Sequence, residues 1–164
     1  MATQRVSFYV DGFNFYYGLR DKNWKKFYWL DMVKFFGKFV RPHQELVGVY
    51  YFSASPKDQG QHHRQDLLFQ ANCLNPLFNL HMGKYLAKTK YCKSCNTPHH
   101  YYEEKETDVR IATQIIRDVV KNNCDISIIV SADSDLIPPI EFIREFKPQH
   151  KIYSYFPPNR FSYD

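Results

Sequence analysis

Residues 5–12, Arg-Val-Ser-Phe-Tyr-Val-Asp-Gly, and residues 126–135, Ile-Ser-Ile-Ile-Val-Ser-Ala-Asp-Ser-Asp, decide how the chain folds. Each opens on a short β-branched or aromatic run, the composition of a buried strand, and each breaks at an acid beside small residues. Helical and strand-like periods alternate around them. Residues 13–19 make a short helical turn. Leu30, Val33, Phe36, Phe39 and Val40 recur at intervals of three and four, with Asp31 in the first turn, where negative charge is favourable. A second strand spans 46–52. Residues 57–74, beginning at Lys57, read as a helix with Leu67, Leu68, Ala71 and Leu74 as its apolar positions. Residues 78–82 alternate in period two. Residues 84–91 and 99–103 form the arms of a hairpin around Cys-Lys-Ser-Cys-Asn-Thr-Pro. The cleanest helix, 107–120, carries Val109, Ala112, Ile115, Ile116, Val119 and Val120 on one face, and 135–146 and 151–156 read as a last helix and strand. Strands alternating with helices give an α/β fold with a largely parallel sheet and right-handed crossovers, in which only the hairpin at 84–104 reads as an insertion.

The chain has 164 residues, enough for one domain, 1–164, with a proper core. No apolar run approaches the roughly 18 residues of a membrane span, and the N-terminus has no signal-peptide layout, so a cytoplasmic protein is expected. A formal charge of +5 tolerates a polyanionic partner without demanding one. Aromatic residues, at 18%, exceed what a core of this size needs and suit a protein that stacks bases. Four cysteines, unevenly spaced, do not make a secreted disulfide framework.

In a parallel sheet, ligands bind beyond the carboxyl ends of the strands. Asp11 follows the first strand, Asp133 and Asp135 follow the strand at 126–130, and Asp108 opens the helix leading into that strand. Singly, each acid also reads as a turn or helix cap, as does Ser131. Together they repel unless a cation neutralises them, and hard oxygen ligands select Mg²⁺ or Mn²⁺. The chemistry that fits is phosphodiester hydrolysis by a metal-activated water.

Three segments carry a resemblance. Phe-Tyr-Val-Asp-Gly-Phe-Asn-Phe-Tyr-Tyr-Gly (8–18), Glu-Glu-Lys-Glu-Thr-Asp-Val (103–109) and Ile-Ile-Val-Ser-Ala-Asp-Ser-Asp-Leu (128–136) resemble the signature segments of the NYN domain family of the PIN-like nucleases. The likeness runs over residues 5–155 and implies a Rossmann-like, PIN-like three-layer α/β/α fold with Mg²⁺- or Mn²⁺-dependent ribonuclease activity. By motif it carries metal-site roles onto Asp11, Asp108, Asp133 and Asp135, and sets Asn14 beside them to position substrate or water. Three departures stand out. Glu106 replaces a common Gly, and Ala132 and Ser134 stand where Gly is frequent. Relatives also usually continue into a closing helix beyond the point where this sequence has Asp164. A sheet face less covered for want of that helix leaves a homo-oligomer open.

Cys92 and Cys95 have the gap that lets two thiolates share a Zn²⁺, with His99, His100 or His81 as further ligands. Free thiols on an exposed loop are the other reading. Lys84, Lys88, Lys90 and Lys93 alternate with Tyr85, Tyr91, Tyr101 and Tyr102, which suits single-stranded RNA as partner but also a lysine-protected edge hairpin. Lys105 is either a phosphate contact or a solvated lysine, and Ser131 joins Asn14 and these lysines among the candidate substrate contacts. His62, His63 and Arg64 form a second basic edge, while Trp24 and Trp29 read as core or rim packing. The expected function is a metal-dependent ribonuclease. An RNA- or nucleotide-binding module without turnover and a zinc-stabilised interaction domain are the alternatives.

Overall fold

A computed structural model describes residues 3–56 and 58–162, the side chains of residues 102–104 excepted. Lys57 and the ring of Tyr102 therefore lie outside the described residues. In chain order the elements are β1 (Gln4–Asp11), α1 (Gly12–Asp21), α2 (Met32–Gly37), β2 (Gln44–Ser53), α3 (Gln59–Asn72), β3 (Phe78–Met82), β4 (Lys84–Tyr91), β5 (Pro98–Lys105), α4 (Thr107–Val120), β6 (Ile126–Val130), α5 (Ile137–Phe146) and β7 (Lys151–Tyr155). Among the described residues five strands form one parallel sheet in the order β3-β2-β1-β6-β7, and β4 and β5 form a separate antiparallel ladder.

The strand order reverses between β1 and β6. The chain first builds outward through β2 and β3, then returns to the other side of β1. Crossover segments leave opposite faces of the sheet at such a switch point and open a crevice there. Alternation along β1 sorts the core. Val6, Phe8 and Val10 join Val49, Ile126 and Ile128 under α1, α2 and α3, with Phe15, Phe36 and Phe69 packed onto them. Tyr9 and Ile129 face the other way, against Ile111, Ile115 and Val119 of α4 and Ile143 of α5. The three-layer α/β/α arrangement expected from the sequence is present.

Several local expectations change. The buried stripe of α4 is Thr107, Ile111, Gln114, Ile115, Asp118 and Val119, whereas Val109 is 69% exposed and Val120 52%. Counting only apolar residues rotated the face, because three of its buried positions, Thr107, Gln114 and Asp118, are polar. In α3 the buried positions are Phe69 and Asn72; Leu67 is exposed, and Leu74, expected within the helix, lies beyond its end and is exposed too. Asn72 explains the difference. Its amide accepts from Met32 N (2.8 Å) and donates to the carbonyl of Leu30 (3.1 Å), tying α3 to the start of α2. Asp31 stands just before α2 and caps it through Lys34 N (2.9 Å), and the helix stops at Gly37, leaving Phe39 exposed. Trp24 and Trp29 are exposed rather than core residues. Residues 156–162 form no helix. They turn back across α1, where Arg160 pairs with Asp21 (2.7 Å) and a Cβ on Gly18 would stand 2.4 Å from the Pro158 carbonyl.

Glu106 has φ 79°, left-handed backbone that favours glycine, which accounts for the Gly common at this place in the resembling motif. Its side chain is held by Arg110 (2.7 Å) and Lys84 (3.7 Å), and the Arg110 contact, then the Lys84 charge, hold its carboxyl below the usual range. Ala132 and Ser134 adopt no positive φ, so their departures from Gly carry no such constraint.

Beneath α4 the buried Asp118 carboxylate accepts from the Tyr9 hydroxyl (2.9 Å), the Gln114 amide (3.0 Å) and the Asn123 amide (2.8 Å). Tyr50 stacks on Tyr9 at 5.2 Å, and burial together with the Asp118 charge pushes its phenol up to about 12. Removing Asp118 would strand two buried donors, Tyr9 and Gln114. Asp118→Ala is expected to lower the unfolding free energy by about 3 kcal/mol. The measurement is the urea midpoint at unchanged slope.

Candidate metal and nucleic-acid site

Asp11 is the last residue of β1 and the N-cap of α1. Its Oδ1 accepts from Phe13 N and Asn14 N, each at 3.1 Å, so the first turn of α1 fixes the carboxylate's direction. Oδ2 accepts from Asn14 Nδ2 (2.6 Å) and Ser131 Oγ (2.9 Å). Pairing of Val10 with Val130 brings the residues that follow them side by side, and alternation turns both Asp11 and Ser131 toward α4. Ser131 Oγ also accepts from Asp133 N (3.1 Å), bending the chain after β6 back toward β1. Asp133 in turn caps the 3-10 turn at Ser134–Leu136 by accepting from Asp135 N (3.0 Å). Asp108, in the first turn of α4, approaches from the third side.

Asp11, Asp108 and Asp133 thus converge, each offering a carboxylate oxygen within 4.8 Å of the others. At that spacing each pair of like charges repels by about 3 kcal/mol in a partly solvated site. A hard divalent cation relieves this, and an all-oxygen donor set is the kind Mg²⁺ and Mn²⁺ take. Asp135 is not part of the group; what it gives the site is its backbone N–H to Asp133. Asn14 lies against Asp11, and because a carboxylate only accepts, the contact at 2.6 Å is made by the Asn14 NH₂. The buried Tyr51 ring lies close below. Its phenol is raised far above the ordinary value by burial and then by the Asp11 charge.

The hairpin separates what its sequence interleaves. By register, Lys84, Lys88 and Lys90 share one face with Tyr101, His99 and Lys105. Tyr85 and Tyr91 take the other face, with Thr89 and His100. Tyr85 meets Phe13 of α1 edge to face at 6.3 Å, which sets the hairpin base beside the carboxylates. Lys105 is half-buried, whereas Lys88, Lys90 and Tyr91 are exposed.

The same register turns His99 and His100 to opposite faces. His100 Nδ1 pairs with Thr89 Oγ1 (2.9 Å), and His81 stacks on Phe52 at 4.8 Å in the main sheet. Among the described residues, Cys92 and Cys95 are not joined by a third ligand into a metal-binding group. Asn96, at φ 52°, makes the turn, and its N–H bonds the Cys92 carbonyl at 2.9 Å. Sequence reading missed a third feature, a cavity walled by Phe13, Tyr16, Tyr17, Tyr28 and Trp29 beside the start of α1. The signal available was the aromatic density of residues 13–17.

Comparison with known protein families matches residues 5–162, which hold the parallel sheet and its three acids, to the NYN domain. The chain belongs to the NYN domain family. It is also similar to the 6-hydroxy-3-succinoylpyridine 3-monooxygenase HspA of Pseudomonas putida, at 27% identity over 176 aligned positions. That match covers 85% of this chain but 55% of the relative, so this NYN domain spans about half the length of that curated protein. Among the described residues no helix is long and apolar enough to cross a membrane.

Two outcomes are expected. Ser131→Ala removes the link between Asp11 and Asp133 and should weaken Mn²⁺ binding about tenfold by calorimetry. Hydrogen bonds from Thr97, then Cys92, lower the exposed Cys95 thiol below its ordinary value, so more of it is thiolate at neutral pH. Iodoacetamide should therefore label Cys95 before the exposed Cys73, with the lead shrinking as pH rises through the ordinary thiol range. Equal rates at neutral pH would contradict this.

Proposed function

We propose that this NYN domain is a Mg²⁺- or Mn²⁺-dependent ribonuclease that hydrolyses phosphodiester bonds of single-stranded RNA. The observation that carries it is the convergence of Asp11, Asp108 and Asp133 at the sheet's switch point. Family membership supports the same reading.

Asp11, Asp108 and Asp133 would hold the cation, with Asp135 at the rim of the same site. A divalent ion bound there supplies Lewis acidity, lowering the pKa of water and neutralising charge on phosphate. The chain's own residues do the positioning. Asp11 already accepts four hydrogen bonds, about the capacity of a carboxylate. Two of these donors are backbone groups of α1, and Ser131 is tied to Asp133 N. The Asn14 amide is the donor able to leave, and it then turns to a phosphate oxygen or a water. Ser131 keeps Asp11 and Asp133 in register during turnover. On the lysine face of the hairpin, Lys84, Lys88, Lys90 and Lys105 attract the RNA backbone, and the exposed Tyr91 ring offers a stacking surface on the other face.

The Pseudomonas relative is named for monooxygenation of a hydroxypyridine. Three carboxylates without an imidazole favour a hard cation of the Mg²⁺ or Mn²⁺ kind acting as a Lewis acid, and hydrolysis is therefore the reading preferred.

The test is incubation of labelled single-stranded RNA, and DNA of matched sequence, with Mg²⁺, Mn²⁺ or EDTA. RNA cleavage with either metal, giving 5′-phosphate ends and stopping in EDTA, is the expected result. Asp133→Asn should lower the rate at least a hundredfold with the thermal midpoint kept within a few degrees. Equal cleavage in EDTA and Mg²⁺ would overturn the proposal.

A further inference from the structure

A cavity of about 230 Å³ opens between α1, α3 and the base of the hairpin, starting at Gly12, the residue after Asp11. It is smaller than the roughly 300–1,000 Å³ of pockets for drug-sized ligands. Its walls are aromatic. Phe13 and Tyr17 lie nearly parallel (6.4 Å, 18°), Tyr85 closes on Phe13 from the hairpin, and Trp29 stands at the mouth, 55% exposed. Rings held at exposed positions around a cavity contribute little to the core and much to a flat ligand.

One group in the lining lacks a partner. Gln65 donates through Nε2 to Ser53 Oγ (3.0 Å) and to the Ala54 carbonyl (3.3 Å). A carbonyl only accepts, so the NH₂ must sit on that side and the amide orientation is fixed. Its Oε1 is then a buried acceptor with no hydrogen-bond partner. Buried acceptors are rarely left unpaired, and a donor from a ligand is the usual remedy. Arg64, exposed on the same helix, adds a positive charge to the lining.

We infer that this cavity takes one base of a bound RNA strand, stacked against Tyr17 and Trp29 and read by an N–H that it donates to Gln65 Oε1. An aromatic slot, one unsatisfied acceptor and a nearby cation match a nucleotide: a flat ring, an edge N–H and a phosphate. Gly12 lets wall and metal site meet closely, since a Cβ there would stand 2.6 Å from both the Phe52 carbonyl and the Tyr51 ring. The base therefore enters beside the phosphate held at the carboxylates. This rests on the ribonuclease reading for the origin of the ligand and adds base preference to it.

The experiment is calorimetric titration of the whole chain in EDTA with each of the four ribonucleoside 5′-monophosphates and with ribose 5-phosphate. At least one nucleotide should bind about tenfold or more tightly than ribose 5-phosphate. Tyr17→Ala, Trp29→Ala and Gln65→Leu should each weaken that nucleotide at least fivefold and leave ribose 5-phosphate unchanged. The two tryptophan and tyrosine positions are exposed, so folding is preserved even if Gln65→Leu is not tolerated. Nucleotide binding without RNA cleavage would retain the pocket and remove the nuclease reading. No preference for any nucleotide over ribose 5-phosphate, or unchanged affinity in Tyr17→Ala and Trp29→Ala, would overturn the inference even if RNA is cleaved.

Discussion

The parallel pairing of β1 with β6 is the constraint on which the rest depends. Val10 opposite Val130 sets Asp11 beside Ser131, and the single hydroxyl of Ser131 reaches both the Asp11 carboxylate and the Asp133 backbone. A slip of one residue would turn Asp11 toward α1 and α2 and bury Tyr9 in the wrong layer. The core therefore enforces the site's geometry: the same alternation that sends Phe8 and Tyr9 to opposite faces aims the acids at α4. The mutual repulsion of the carboxylates is borne by a sheet whose burial on both faces leaves the strands no other register.

Much of this was legible in the sequence because it depends on short-range pattern. Two apolar runs ending in acids, helices alternating with strands, and the first turn of α4 each have a local cause, and together they pointed to the parallel sheet and to the three acids that converge on it. The details that changed depend on partners far away in the chain. Gln114 and Asp118 are buried because Tyr9, more than 100 residues earlier, supplies a hydroxyl, so an apolar-only stripe misplaced the face of α4. Asn72 is buried because α2 offers it a carbonyl and an N–H. Asp135 was grouped with the other acids by its place after the strand at 126–130 and by the resembling motif, yet it lies outside the converging trio and the 3-10 turn gives Asp133 its backbone N–H.

The hairpin teaches the same lesson from the opposite direction. Alternating Lys and Tyr read as one mixed surface, but a two-stranded ladder sends alternate residues to opposite sides, so most of the charge lies on one side and Tyr85 on the side that meets α1. Cys92 and Cys95 satisfy a spacing rule, while His99 and His100, being consecutive on a strand, cannot both turn to the same sulfurs. Glu106 is the reverse case. Its departure from the resembling motif was visible at once, but the left-handed backbone behind it was not.

Because β4 and β5 pair with each other and not with the main sheet, the ladder is a separable attachment. Residues along its outer half can vary in length, charge or ring content without disturbing the register that holds the carboxylates. The appendage can thus change the surface it presents beside the acids while the geometry of the cluster itself stays unaltered.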